Sequence, residues 1–284
     1  MLCLGCETTA VQPVCESDLR WLDDPSSGSA HLEDCGQPLL DYRYRARDGS
    51  EPWRVNYVHP LFAVDGVPLT EDRPDDHPHQ RGIFWAWRRI LIDGVQVADG
   101  WVGTNFRIEV RPPVLATDAG IATLSTEAVW SVASKDGFES LVLENTEISV
   151  HRLQEGSRRI EFVTRLRPSR SGVSIGGTDD EKGYGGYSLR LRDGARLRIS
   201  TGGRELEARV ESMATEAAVE FAWQDGDPPL RHRLRVECTV DGAPWRSWVL
   251  RQEASMQNCA FPGRVPVALS EARPLVLRAS LLLQ

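Results

Sequence analysis

One short stretch gathers the residue types that do proton chemistry: Asp75-Asp76-His77-Pro78-His79-Gln80-Arg81. Three of the six histidines, His59, His77 and His79, lie between Asn56 and Trp87. An imidazole titrates near neutrality, so it can take or give a proton at physiological pH. If His77-Pro78-His79 is extended, side chains two apart point to one side and both rings converge on one ligand. His77 and His79 are then the expected acid/base pair, Asp76 fixes a histidine tautomer, and Arg81 clamps a hydroxyl or a carboxylate. The same stretch offers ligands to a divalent metal through His77, His79 and Asp75, although Pro78 can twist the two rings apart. No other cofactor is implied. The plainer alternative is a hydrogen-bonded turn in which Asp76 caps and Arg81 pairs with a carboxylate. Two histidines, an arginine and two aspartates within seven residues favour a site.

Such groups need a stiff support. Pro60, Pro68, Pro74 and Pro78 supply it, because each ring fixes its own φ and biases the preceding residue towards extended backbone. Beyond the loop comes Ile83-Phe84-Trp85-Ala86-Trp87, where Trp85 and Trp87 share one strand face and Phe84 and Ala86 the other. Aromatic faces beside carboxylates and arginine hold sugar rings, whose C–H face stacks while the hydroxyls take polar partners. Trp85 is the expected stacking platform and His59 a further substrate contact. Most of the nine tryptophans, Trp101 among the candidates, must instead fill core.

A second cluster, Thr178-Asp179-Asp180-Glu181-Lys182-Gly183-Tyr184-Gly185-Gly186-Tyr187, puts an acidic tip ahead of a strand. It would bring Glu181 over the site as a second carboxylate, with Lys182 and Tyr184 touching substrate. It is not a phosphate loop: the G-x-x-x-x-G-K-[ST] pattern is missing and no helix follows. Taken alone it reads as a hairpin whose glycines supply positive φ. No G-x-S-x-G elbow occurs, and no cysteine has a catalytic context, so a serine or cysteine nucleophile is unsupported.

The elements that carry these loops are strands. In Tyr42–Arg47 the tyrosines alternate with arginines, and the same period of two recurs in Phe106–Val110, Arg158–Arg167 and Arg231–Cys238. Further strand-like segments cover 121–132, 141–151, 187–200, 206–211, 219–223, 246–253 and 274–283. Asp93-Gly94, Asp136-Gly137, Asp193-Gly194 and Asp241-Gly242 mark turns between them. Glu211–Glu220 is the nearest approach to a helical period. Many short strands without helices between them predict an all-β fold, one large antiparallel β-sandwich over residues 38–284.

Composition excludes several classes. Lys and Arg number 33 against 41 Asp and Glu, a formal charge of -8, and no basic run exists to displace phosphate counterions, so nucleic acid is not an expected partner. Apolar runs such as Gly82–Trp87 fall far short of the ~20 residues that span a bilayer, so no integral membrane segment is expected. Residues 1–37 are rich in Ser, Asp, Gly and Cys and read as a loosely ordered segment, with DDPSSGSA as a linker. Cys3 and Cys6 have CxxC spacing, but no second pair completes a zinc site. Leu4-Gly5-Cys6 resembles the end of a lipoprotein signal, although no apolar region precedes it. If the true start lies upstream, that places the protein in the periplasm or at the cell surface; otherwise it is cytoplasmic.

The stretch HPLF…DG…LT…DHPHQRGIFWAW resembles the motif of a bacterial family catalogued as PmoA-like, carried here by His59, Thr70, Asp76, His77, His79, Arg81, Gly82 and Trp85. Gln80 stands where that family commonly has a third histidine. Lys182-Gly183-Tyr184-Gly185-Gly186 and Ser255-Met256-Gln257-Asn258…Phe261-Pro262-Gly263 are similar as well, so the resemblance covers about residues 40–284. The catalogue name implies a methane oxygenase subunit, which needs transmembrane helices that this chain lacks. The resemblance implies instead a galactose-mutarotase-like supersandwich and a setting of glycan breakdown. The resulting expectation is an enzyme acting on a sugar or oxidised sugar by histidine acid/base chemistry, of lyase, epimerase or glycosidase type. A non-catalytic glycan-binding surface protein and a metal-dependent oxidoreductase are the alternatives.

Overall fold

The computed structural model describes residues 17–47, 49–192, 197–216, 218–223, 232–252 and 256–284. Among them every regular element is a strand, and the strand pairings are antiparallel. One sheet of nine strands runs, in order, Leu19–Asp24, Ser29–Asp34, Gln37–Arg43, Tyr57–Leu61, Ile83–Trp87, Gly185–Arg190, Met256–Cys259, Ser247–Val249 and Met213–Ala214. The second, of eleven strands, is built on the long neighbours Ile121–Ser134, Gly137–His151, Arg158–Pro168, Leu275–Leu283 and Arg233–Val240. A third sheet of four strands includes Arg89–Ile92 and Val95–Ala98, joined through Asp93-Gly94. Both turn residues have positive φ, 49° and 81°, the type I′ geometry whose twist matches the flanking strands.

The two large sheets stack face to face because each presents one apolar face. In Arg158–Pro168, Ile160, Phe162 and Leu166 are buried while Glu161, Arg165 and Arg167 are not, as the alternation requires. Aromatic pairs cross the interface: Trp87 lies 5.4 Å from Trp130, Trp85 6.3 Å from Phe162, and Phe162 5.5 Å from Tyr187 between ring centroids. Such pairs contribute about 0.5–1.5 kcal/mol each beyond their buried area. At the centre sits one carboxylate. Glu144, 1% exposed, accepts from Trp85 Nε1 (2.5 Å), Asn56 Nδ2 (2.6 Å) and Thr146 Oγ1 (2.7 Å) on one oxygen and from Trp130 Nε1 (2.7 Å) on the other. It ties the two sheets together. Burial pushes its carboxyl up, and the four donors pull it back.

Several expectations are corrected. Within the segment expected to be loosely ordered, Leu19–Asp24 and Ser29–Asp34 form a hairpin, and residues 1–16 lie outside the described residues. DDPSSGSA is its turn, held by Ser26 and Ser27 amides donating to Asp24 Oδ1 at 3.0 and 3.3 Å. Residues 206–211, expected as a strand, form none, and among the described residues the helical candidate 211–220 holds only Met213–Ala214 and the start of Ala218–Trp223. The lipoprotein-like Cys6 and the turn Asp193-Gly194 lie outside the described residues.

Candidate functional site

Alternation along Ile83–Trp87 sends Trp85 and Trp87 into the core between the sheets and turns Phe84 and Ala86 the other way. There Phe84 and Ala86 join Tyr57, Trp101 and Met256 in a second apolar cluster, with Tyr184 at its edge. Trp101 packs edge-on against Phe84 (5.2 Å) and lies 5.8 Å from Tyr184. Trp101 and Tyr184 form one wall of a cavity of about 260 Å³.

His77, His79 and Gln80 form a second wall. They belong to a loop closed at its base by the bridge between Asp72 and Arg81. Inside it two turns follow one another, His77 N–H donating to Pro74 O (3.1 Å) and Gln80 N–H to His77 O (2.9 Å). The segment is therefore not extended. The imidazoles reach the same cavity through a turn, with ring centroids 5.8 Å apart and planes at 76°. Gly82 lets the loop return against the strand Tyr57–Leu61: a Cβ there would stand 2.0 Å from the Val58 carbonyl oxygen.

Two buried arginines brace the loop from behind. Arg54 donates to Pro78 O (2.7 Å) and Gln80 O (2.9 Å) and pairs with Asp72. Arg190 holds Glu71 and Asp76, both at 2.9 Å, and the Gln80 side chain at 2.8 Å. Asp76 Oδ2 then lies 3.0 Å from His77 Nδ1, a close charge contact rather than a well-aligned hydrogen bond. Burial works to raise the Asp76 carboxyl, but His77 and Arg190 outweigh it and hold it below the usual range. Burial, helped by His77, Arg88, Arg81 and Arg54, pulls His79 down to about 4. At neutral pH that imidazole is uncharged.

The remaining lining is Thr178 and three cations, Arg88, Lys182 and Arg251. Lys182 comes from the loop wrapped on Asp180, whose Oδ1 accepts from Thr178 Oγ1 (2.5 Å), Lys182 N (3.1 Å) and Gly183 N (3.3 Å). Arg251 donates to the Tyr184 hydroxyl at 3.2 Å. Arg88 lies 3.2 Å from Asp99, which also accepts the Trp101 and Val102 amides and so sets the turn that presents Trp101.

His77, His79, Lys182 and Tyr184 thus come together, with Asp76 directly behind His77. Four other expected residues do not reach the cavity. Trp85, 5% exposed, is committed to Glu144. Arg81, 1% exposed, is caged by Phe84, Trp53 and Tyr57 at 4.5, 5.1 and 5.8 Å, and its Nε and Nη1 have no hydrogen-bond partner among the described residues. Burial, then Arg54, brings that guanidinium down to about 9. His59 contacts Thr70 Oγ1 at 3.0 Å instead, and the exposed Glu181 enters only through its carbonyl, which accepts from the Ser212 amide at 3.2 Å. The metal set His77, His79 and Asp75 is not assembled: among the described residues no three His, Cys, Asp or Glu side chains converge on a point that could hold an ion. Arg88 and Arg251 are the residues that motif reading missed; Trp101 stands among the tryptophan candidates but behind Trp85, although Asp99-Gly100-Trp101, an aspartate two residues before a tryptophan, is a local turn signal.

Residues 29–283 match a family described as a family of unknown function (DUF6807), and the chain belongs to that family. The match lends no support to the PmoA label. No curated protein matches the chain.

Proposed function

We propose that the protein is a carbohydrate-processing enzyme in which His77 and His79 move protons on a single sugar ring. The observation that carries this reading is the meeting of two imidazoles with the aromatic pair Trp101 and Tyr184 in a cavity of about 260 Å³. Pockets for drug-sized ligands span roughly 300–1,000 Å³, so this one suits one ring. Tyr184, half-buried and packed against the buried Trp101, offers an apolar face to the ring's C–H surface. His79, neutral at physiological pH, has a lone pair to accept a proton. His77, backed by Asp76 and Arg190, is the partner that returns one.

No carboxylate lines the cavity among the described residues, so hydrolysis by two facing carboxylates fits poorly. Epimerisation or elimination, each needing one base and one acid, fits better. The likeness of the loop motif to PmoA-like proteins, and the galactose-mutarotase-like fold it implies, favours sugar chemistry by analogy alone. Single His77→Ala and His79→Ala variants test the proposal on a panel of sugars and glycans. Loss of turnover with binding retained is the expected result. Equal loss of binding, with no turnover by the native protein on any member, would make the protein a glycan binder instead.

A further inference from the structure

The chain carries a formal charge of -8, yet its cavity is lined by Arg88, Lys182 and Arg251 and by no carboxylate among the described residues. Among the described residues Arg88 alone of the three is met by an acid, Asp99. Arg251 reaches a tyrosine hydroxyl. Lys182 is felt by Asp180 as a longer-range attraction, without an ion pair among the described residues. Beneath them Arg81 stays buried with two guanidinium nitrogens unpartnered. Charges of one sign around a small cleft focus the field there and draw in the opposite charge.

From this arrangement we infer that the ligand is a sugar bearing an oxyanion, a carboxylate or a phosphate ester, bound between Lys182 and Arg251 with its ring against the wall formed by Tyr184 and Trp101. Arginine's planar fork and lysine's point charge both suit such a group, and neither carboxylate nor phosphate is favoured by geometry alone. Held in this way, an anion also relieves the mutual repulsion of the cations around it. A carboxylate on the ring would in addition make the adjacent C–H easier to deprotonate, since lysine and arginine neutralise the charge that develops on its oxygens. The inference rests on the sugar reading above and narrows it.

Calorimetric titration of the full chain with glucuronate, glucose 6-phosphate, glucose and inorganic phosphate tests it, at low and at high salt. One charged sugar is expected to bind at least about tenfold tighter than glucose, a preference that fades as salt screens the charges. Lys182→Gln and Arg251→Gln are each expected to weaken that binding about tenfold more than they weaken binding of glucose. Which charged sugar prevails identifies the group. Glucose binding as tightly as both charged sugars would overturn the oxyanion inference and leave the sugar reading intact. Inorganic phosphate binding as tightly as glucose 6-phosphate, with no sugar preferred, would keep the anion site and remove the sugar. No binding by any of the four would remove both.

Discussion

Two ionic groups are buried on either side of the strand Ile83–Trp87, and they are treated in opposite ways. Glu144, against Trp85, has four donors on its two oxygens. Arg81, against Phe84, has aromatic rings around it and two nitrogens without a partner. A buried charge is tolerated when hydrogen bonds replace its hydration, and Glu144 meets that condition. Among the described residues Arg81 has no side-chain hydrogen bond to do so and is met by the ring faces and by the longer-range attraction of Asp72 and Glu51. The first group joins two sheets. The second lies beside a cavity and adds to the positive potential felt at His79. The difference separates a charge satisfied by hydrogen bonds between two sheets from one packed among rings behind the cavity.

Glu144→Ala gives the largest expected effect. It leaves the buried donors of Asn56, Trp85 and Trp130 without an acceptor, and loss of about 3–5 kcal/mol is expected in denaturant unfolding. A loss under about 1 kcal/mol would show that the network does not bind the sheets together. Arg190→Ala comes next: it releases Asp76, Glu71 and Gln80, but both carboxylates are part-exposed and recover water, so about 1–2 kcal/mol is expected. The larger consequence is a misplaced His77, read as weaker ligand binding.

Arg81→Met sharpens the contrast further. No hydrogen bond is lost and a desolvated charge is removed, so stability is expected to stay within about 1 kcal/mol of the native protein or to rise. A loss as large as that of Glu144→Ala would mean that Arg81 is structural after all. The last effect is absent at neutral pH and emerges only in acid. His79 titrates near 4 in the folded chain and near 6.5 when unfolded, so between these values the unfolded chain binds more protons. Stability from this group is complete above pH 6.5 and falls as pH drops towards 4. His79→Ala is expected to flatten that part of the stability curve, and an unchanged curve would contradict the assignment.

Much of the fold was legible because the strands alternate strictly; Phe106–Val110 begins and ends where its pattern does. The hairpin over residues 19–34 was hidden by its Ser, Asp and Gly content, which belongs equally to a turn and to a linker. In the site, His77 and His79 were legible by type and spacing, but they meet through consecutive turns, not through a pleat. Trp85 shows the limit of periodicity. Alternation tells that Trp85 and Phe84 face opposite ways, yet not which way the core lies, and the inward face belonged to the tryptophan. Glu144 occupies an inward position in Gly137–His151 between Val142 and Thr146, where a charged residue reads as a solvent position until Trp85 and Trp130 are brought over it. Arg251 enters the cavity from far along the chain, and no local signal could place it there.

The most direct test is imidazole NMR of His77 and His79 during titration with glucuronate and glucose 6-phosphate. Both rings are expected to shift on saturation, and His79 to move from a pKa of about 4 towards the ordinary histidine value as an anion settles beside it. If ligand binds and neither ring responds, the cavity that they line is not where the protein meets its substrate.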